Sequence, residues 1–344
     1  MDNRPLCVGV VGLGYWGPNL VRNLHEIEGV EVAAVCDLSE DSLAAIARRY
    51  PAVRRTTSYG ELLGRAEIDA IAIATPVSTH YMLARAALSA GKHVFVEKPL
   101  AASSTQAMDL VERARALQLV VMPGHTFLYS PPVMMIRELI SSGELGEIYF
   151  VSTSRVNLGL HQPDVSVAWD LAPHDFSILR HWLGETPTYL NALSRDCIVP
   201  GTPDVAFINL EFPSGTIAHV ELAWLAPSKL RRTTIVGSRK MVVYDDTSNE
   251  PVRVFDSGVM LRNPETFGEY RLSYRTGEII SPPVEIVEPL YAELSDFCSA
   301  VTTGVLPRSS AELGIDVVAM IEAVDVSLAH NGRRVPVQNL AGVR

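Results

Sequence analysis

At 344 residues the chain exceeds what one hydrophobic core usually organises, so it should divide into about two domains. Its 47% hydrophobic and 20% charged residues are ordinary for a globular protein, and no apolar run reaches the ~20 residues of a membrane span. A formal net charge of −10 argues against a nucleic-acid partner, because that binding relies on clustered Lys and Arg.

The N-terminal MDNRPLCVGVVGLG passes from a few polar residues straight into a strand-like run, without the basic region and small-residue cleavage site of a signal peptide. A cytoplasmic protein is expected. The four cysteines, Cys7, Cys36, Cys197 and Cys298, are scattered and form no CxxC, so reduced thiols and no metal site are expected. Apolar runs at Leu6–Val11, Val30–Cys36, Ala70–Ala74, His93–Val96 and Leu119–Met122 alternate with helix-like stretches such as SLAAIARRY, the pattern of a doubly wound parallel sheet of the Rossmann type.

VGVVGLGYWG places Gly12, Gly14 and Gly17 in G-x-G-x-x-G order after the first strand, with Tyr15 and Trp16 between the last two. Such glycines allow a tight turn, the approach of a pyrophosphate and close helix packing, while the helix N-terminus offers free N–H groups. Asp37 follows the second strand, where an acid accepts hydrogen bonds from an adenosine ribose; the competing reading is a helix cap. Its charge favours NAD over NADP. Thr75, Pro76 and His80, in IAIATPVSTH, fall where a dinucleotide passes, although His80 fits a surface position equally well. Glu97 and Lys98 leave a fully apolar strand at the same carboxyl edge, before Pro99.

After Gly124 the texture changes to a helix-like VMMIRELISSG and long alternating segments, EIYFVSTSRV through RRTTIVGSRKMVVYDD, which predict a large, mostly antiparallel open sheet. Two helices close the chain, the second ended by Asn331–Gly332. The expected division is a dinucleotide domain of residues 1–123 and an α/β substrate domain of 124–344.

GLGYWGPNLVRN, ATPVSTH, GKHVFVEKPL, GHTFLYSPPVMMIRELISSGELGEIYFV, WDLAPHDFSILRHWLG and EPLYAELSDFCSAV together resemble the glucose-fructose oxidoreductase, inositol dehydrogenase and rhizopine-catabolism (Gfo/Idh/MocA) oxidoreductases over nearly the whole chain. The resemblance looks closest to members from nucleotide-sugar and amino-sugar pathways. It implies that Lys98 lies between nicotinamide and substrate, that the Lys98–Pro99 peptide is cis, and that the second sheet makes a homodimer or homotetramer. The family's Asp and His four residues apart match Asp170 and His174; the acid that many members carry three residues later is Ser177 here.

Alcohol oxidation needs a proton acceptor and a positive charge beside the developing alkoxide. His174 suits the first, Lys98 the second, and Asp170 would orient Lys98 or a sugar hydroxyl. The competing reading makes His174 a buried structural histidine and Asp170 or Asp175 a helix cap; Asp175 itself reads as a cap, with Pro173 at a bend. His125, Tyr129, Arg155, Asn157 and Gln162 are candidate contacts to a hydroxylated sugar, Arg155 pairing with a phosphate or with an acid of the sheet, while Trp182 and Trp224 read as packing. The expected reaction interconverts a secondary hydroxyl, C3 foremost, and a ketone. Alternatives are an NAD-dependent glycosidase using transient C3 oxidation, an NADPH-dependent 3-keto-sugar reductase, and a cofactor-sensing regulator without catalysis.

Overall fold

The computed structural model describes residues 4–159, 161, 165–261 and 272–340. These divide into two units. One runs to Tyr129 and takes back Val287–Ala319; the other holds Ser130–Ile286 and Met320–Asn339.

The first unit opens with β1 (Leu6–Val11), α1 (Gly17–Glu26), β2 (Val30–Cys36), α2 (Glu40–Arg49), β3 (Arg54–Thr56), α3 (Tyr59–Leu63), β4 (Ala70–Ile73), α4 (Val77–Ser89), β5 (His93–Glu97), α5 (Ser104–Leu117) and β6 (Val121–Gly124). Its six parallel strands lie in the order β3-β2-β1-β4-β5-β6, so the winding reverses between β1 and β4. Every residue of β1 and β4 is buried, as a parallel sheet covered on both faces requires, and this is why those strands read as unbroken apolar runs. The sequence predicts five strands. The sixth, β3, is a three-residue RRT segment, too short and too charged for hydropathy to mark.

The second unit contains α6 (Pro131–Ser141), β7 (Ile148–Val156), α7 (Val167–Leu183), β8 (Tyr189–Arg195), β9 (Val205–Glu211), β10 (Ile217–Ala223), β11 (Leu230–Gly237), β12 (Met241–Asp245), β13 (Val252–Leu261) and β14 (Leu272–Ile280). Its sheet runs β14-β13-β12-β11-β7-β10-β9-β8, antiparallel throughout except where β7 meets β10. Burial alternates along β9, so one face of that strand is packed and the other open. Helix α7 packs against β9 and β10, burying Phe176 and Trp182. The Trp182 indole N–H donates to the Val133 carbonyl (2.9 Å), a packing role as expected.

The chain closes with α8 (Pro289–Thr303), α9 (Ala311–Ala329) and β15 (Val335–Pro336), which pairs with β8. Asn331 and Gly332 adopt positive φ (57° and 78°) just beyond α9, consistent with the expected stop. Helix α8 packs on α1 and on the turn Thr126–Tyr129, with Phe297 edge-on to Phe95 (centroids 5.8 Å). The expected boundary at Pro123 therefore shifts. The segment to Tyr129 and the late helix α8 belong to the first unit, because tertiary contacts decide which sheet a helix covers. Among the described residues no helix is long and apolar enough to cross a membrane.

Candidate active site

In the first unit the glycine turn has the shape its spacing predicts. Gly12 holds φ 86°, and a Cβ there would lie 2.5 Å from the Ala74 carbonyl oxygen. A Cβ on Gly17 would fall 2.0 Å from the Gly12 oxygen, whereas nothing lies within 4 Å of the Cβ position of Gly14. Gly12 and Gly17 thus hold the turn, and Gly14 leaves room for a ligand. No side chain caps α1; Pro18 carries no N–H and the Asn19 N–H turns back to the Trp16 carbonyl (2.9 Å), so the Gly17 N–H and the positive end of the helix face an anion. Tyr15 and Trp16 stand exposed beside the turn, packed edge to face (5.5 Å).

Asp37 ties the end of β2 to this turn: its carboxylate accepts the Leu13 N–H (2.5 Å) and the Ser39 N–H (2.7 Å). Lone pairs remain for a ribose. Asp37 lines a largely apolar cleft of about 510 Å³ with Gly12, Gly14, Thr75 and Pro76, in the size range of a small-molecule site. Tyr59, Leu38 and Leu83 line it too. The sequence reading missed them; the exposed Leu38 directly after Asp37 was the available signal. The glycine cradle, the uncapped helix and this apolar cleft fit a dinucleotide.

His80 is neither a surface residue nor a lining of the cleft. It is buried, with Nδ1 2.8 Å from the Pro99 oxygen and Nε2 2.8 Å from the Thr75 oxygen, so it braces the β4 turn against the loop after β5. Burial pushes its imidazole down from the usual range.

At the carboxyl ends of β5 and β6, Glu97 and His125 are buried and Lys98 is partly exposed, with the Lys98–Pro99 peptide cis. Burial pushes the Glu97 carboxyl up to about 7, against the pull of Lys98. Burial, then the Lys98 charge, push the His125 imidazole down to about 3. Tyr129 is withdrawn from the role of sugar contact. Its hydroxyl donates to Asp296 (2.7 Å) and accepts the Ser309 N–H (3.0 Å), which fixes the turn to α8.

In the second unit α7 begins at Val167, capped by Ser166, whose hydroxyl accepts the Trp169 N–H. It runs through Pro173 to Leu183, so Pro173 lies inside the helix rather than at a bend before it. The four-residue spacing therefore does put Asp170 and His174 on one face, both partly exposed. Trp224, read as packing, is buried but has a further role: its indole N–H donates to Asp170 Oδ2 (3.2 Å). It directly follows β10, whose register ends beside Val156, so Asn157 is its neighbour across the sheet. His161 leans on the indole (5.2 Å between rings), with Nε2 3.7 Å from Asp204 Oδ2.

Arg155 and Asp175 have other partners than expected. Arg155 is buried in an ion pair with Asp175 (Nε to Oδ2, 2.7 Å), so it pairs with an acid, as one alternative held, but that acid lies on α7 rather than in the sheet. Asp175, which also accepts from the Thr153 hydroxyl (3.0 Å), joins α7 to β7 and is not a cap. Asn157 remains beside the Asp170 group, and Gln162 lies outside the described residues.

Residues 6–125 match the family described as an oxidoreductase family with an NAD-binding Rossmann fold, and residues 133–243 match the GFO/IDH/MocA C-terminal domain. The oxidoreductase YrbE of Bacillus subtilis is 24% identical over 77% of this chain and 81% of its own length. Inositol 2-dehydrogenase 2 of Saccharopolyspora erythraea is 30% identical over 62% of this chain and 66% of its own. Among solved structures, GenD2 from gentamicin A biosynthesis, in complex with NAD, superimposes with TM-score 0.82 at 24% identity over 97% of both chains. The UDP-N-acetylglucosamine 3-dehydrogenase GnnA of Acidithiobacillus ferrooxidans does so with TM-score 0.78 at 24% identity, over 94% of this chain and 98% of its own.

Proposed function

Because the chain belongs to the Gfo/Idh/MocA oxidoreductase family, we propose that it is an NAD-dependent dehydrogenase interconverting a secondary hydroxyl, C3 foremost, and a ketone on a nucleotide sugar or amino-sugar glycoside. The observation that carries this reading is the Asp170–His174 face of α7, with Asp170 held by the Trp224 indole, in a chain where Lys98 directly follows the last residue of β5. Names of solved relatives, a UDP-N-acetylglucosamine 3-dehydrogenase among them, support the substrate class. The Asp37 carboxylate lining the cleft supports NAD over NADP, because it opposes a 2′-phosphate.

The dinucleotide, when bound, supplies the hydride-accepting ring. The chain's own residues manage the proton and the charge. His174 takes the hydroxyl proton in oxidation and returns it in reduction, and the Lys98 ammonium donates a hydrogen bond to the oxygen as negative charge grows on it. Asp170, oriented by Trp224, holds a neighbouring sugar hydroxyl. The open sheet face supports self-association as a dimer or tetramer: Leu193, Phe207 and Ile217 are exposed there, Leu193 beside Phe207 in register. Sedimentation of the purified chain checks this.

Reduction of NAD and NADP is to be followed against UDP-N-acetylglucosamine, other UDP- and dTDP-sugars, and amino-sugar glycosides. NADH should accumulate with one of them. Lys98→Ala and His174→Ala should each lower kcat about 10²–10³-fold with NAD still bound. Aglycone release without net NADH would instead assign a glycosidase, and activity with NADPH alone a ketoreductase. Variants that turn over normally would overturn the catalytic reading.

A further inference from the structure

The end of β5 carries a second set of groups that the reaction above does not use. Phe95 and Glu97 share one face of β5, two residues apart, and Glu293 and Phe297 share one face of α8, four residues apart. Phe297 packs on Phe95, so the matching steps along strand and helix bring Glu293 toward Glu97. Two further contacts fix that placement. The Thr126 hydroxyl donates to Glu293 Oε2 (2.6 Å), and Gly124, paired with Glu97 in the β5–β6 register, leaves the room a Cβ would take 3.3 Å from Glu97 Oε2. Glu97, Glu293 and His125 are all buried, and Glu97 Oε1, Glu293 Oε1 and both His125 ring nitrogens bond to no described residue.

We propose that Glu97 and Glu293 form a carboxyl pair that retains one proton and places a titratable negative charge behind Lys98, with Glu97 its positioning residue. Two buried carboxyls side by side do not both ionise, since each charge lacks water and repels the other. Burial, then the Glu97 charge, push Glu293 well up, so Glu293 keeps the proton. Glu97, pushed up to about 7, is the member that titrates near neutrality. The other groups facing the pair do not replace it. Asp296 accepts from the Tyr129 hydroxyl and the Arg308 N–H, burial pushes the His125 imidazole down to about 3, and both His80 ring nitrogens are engaged by the Pro99 and Thr75 oxygens. Above the Glu97 transition, one proton and one negative charge stand behind Lys98. Below it, a second proton from water neutralises the pair and the Glu97 charge behind Lys98 is lost.

This inference rests on the reading that Lys98 serves the reacting oxygen, yet it can be tested without a substrate. The chain has four lysines, Lys92, Lys98, Lys229 and Lys240, so ¹³C-dimethylation of the full protein gives few NMR signals, with Lys98 assigned by its loss in Lys98→Arg. The Lys98 signal should show an inflection near neutral pH that Glu97→Gln abolishes and Glu293→Gln retains. Infrared difference spectra should show a protonated carboxyl that persists at pH 8 and is lost in Glu293→Gln, and a second that titrates near neutrality and is lost in Glu97→Gln. Thr126→Val, which keeps both carboxyls but removes the hydroxyl opposing the upward push on Glu293, should preserve the persistent band even if a glutamine variant fails to fold. No protonated carboxyl at pH 8, or a Lys98 signal indifferent to Glu97→Gln, would overturn the pair. Normal turnover by Lys98→Ala would instead overturn the parent reading and leave the pair standing behind a structural lysine.

Discussion

Gly14 and Gly17 differ in what their missing side chains protect. A Cβ at Gly17 collides with the Gly12 backbone oxygen at 2.0 Å, while one at Gly14 meets nothing within 4 Å. Gly17→Ala should therefore lower the thermal midpoint, whereas Gly14→Ala should keep the wild-type midpoint and lose NAD affinity at least tenfold by calorimetric titration. Glu97 and His125 make opposite contributions to stability with pH. Glu97 is raised from 4.5 to about 7, so its contribution is full below 4.5 and lost as pH rises to about 7. His125 is lowered from 6.5 to about 3, so its contribution is full above 6.5 and lost as pH falls to about 3. Urea midpoints should show Glu97→Gln gaining on wild type between pH 4.5 and 7, and His125→Gln gaining between pH 6.5 and 3. Positions set by local spacing were legible in the sequence: the glycine turn, Asp37 directly after β2, Lys98 directly after β5, and Asp170 and His174 on one face of α7. His80, Tyr129, Arg155 and Trp224 were not, because each has a hydrogen-bond partner 19 or more residues away that only the folded chain chooses.

At the scale of the element, α7 combines two tasks on two faces. One face carries Asp170 and His174; another buries Asp175 against Arg155 and Thr153 of β7. The helix is thereby fixed to the sheet within one residue of His174. Asp175→Ala leaves a buried guanidinium without its carboxylate and should cost about 3–5 kcal/mol in urea unfolding. The double variant Arg155→Met, Asp175→Leu should recover most of that, since it removes both charges and refills the space. Sequence patterning marked this segment as helical but placed its start too late. The Asp after Pro173 looked like a cap, and the real cap, Ser166, precedes a stretch without obvious helix-start chemistry.

For the whole molecule, the two sheets were legible from the change of hydropathy period after Gly124, whereas the destination of α8 was not, since nothing local to Val287–Ala319 states which sheet it will cover. Its packing on α1 and the Thr126–Tyr129 turn, the Phe95–Phe297 contact and the Arg22–Glu288 ion pair make α8 part of the first unit's core. A fragment of residues 1–129 should bind NAD weakly and unfold early in urea, and fusion of 287–319 to it should restore both; equal behaviour of the two fragments would refute this. During synthesis the ribosome completes Gly12 to Lys98 long before α8 exists. At about 5–20 residues per second, roughly ten to forty seconds separate Tyr129 from the end of the segment that covers Phe95. Through that interval Phe95 on β5 lacks the α8 side chain that packs on it, so the first unit completes its core only late in synthesis.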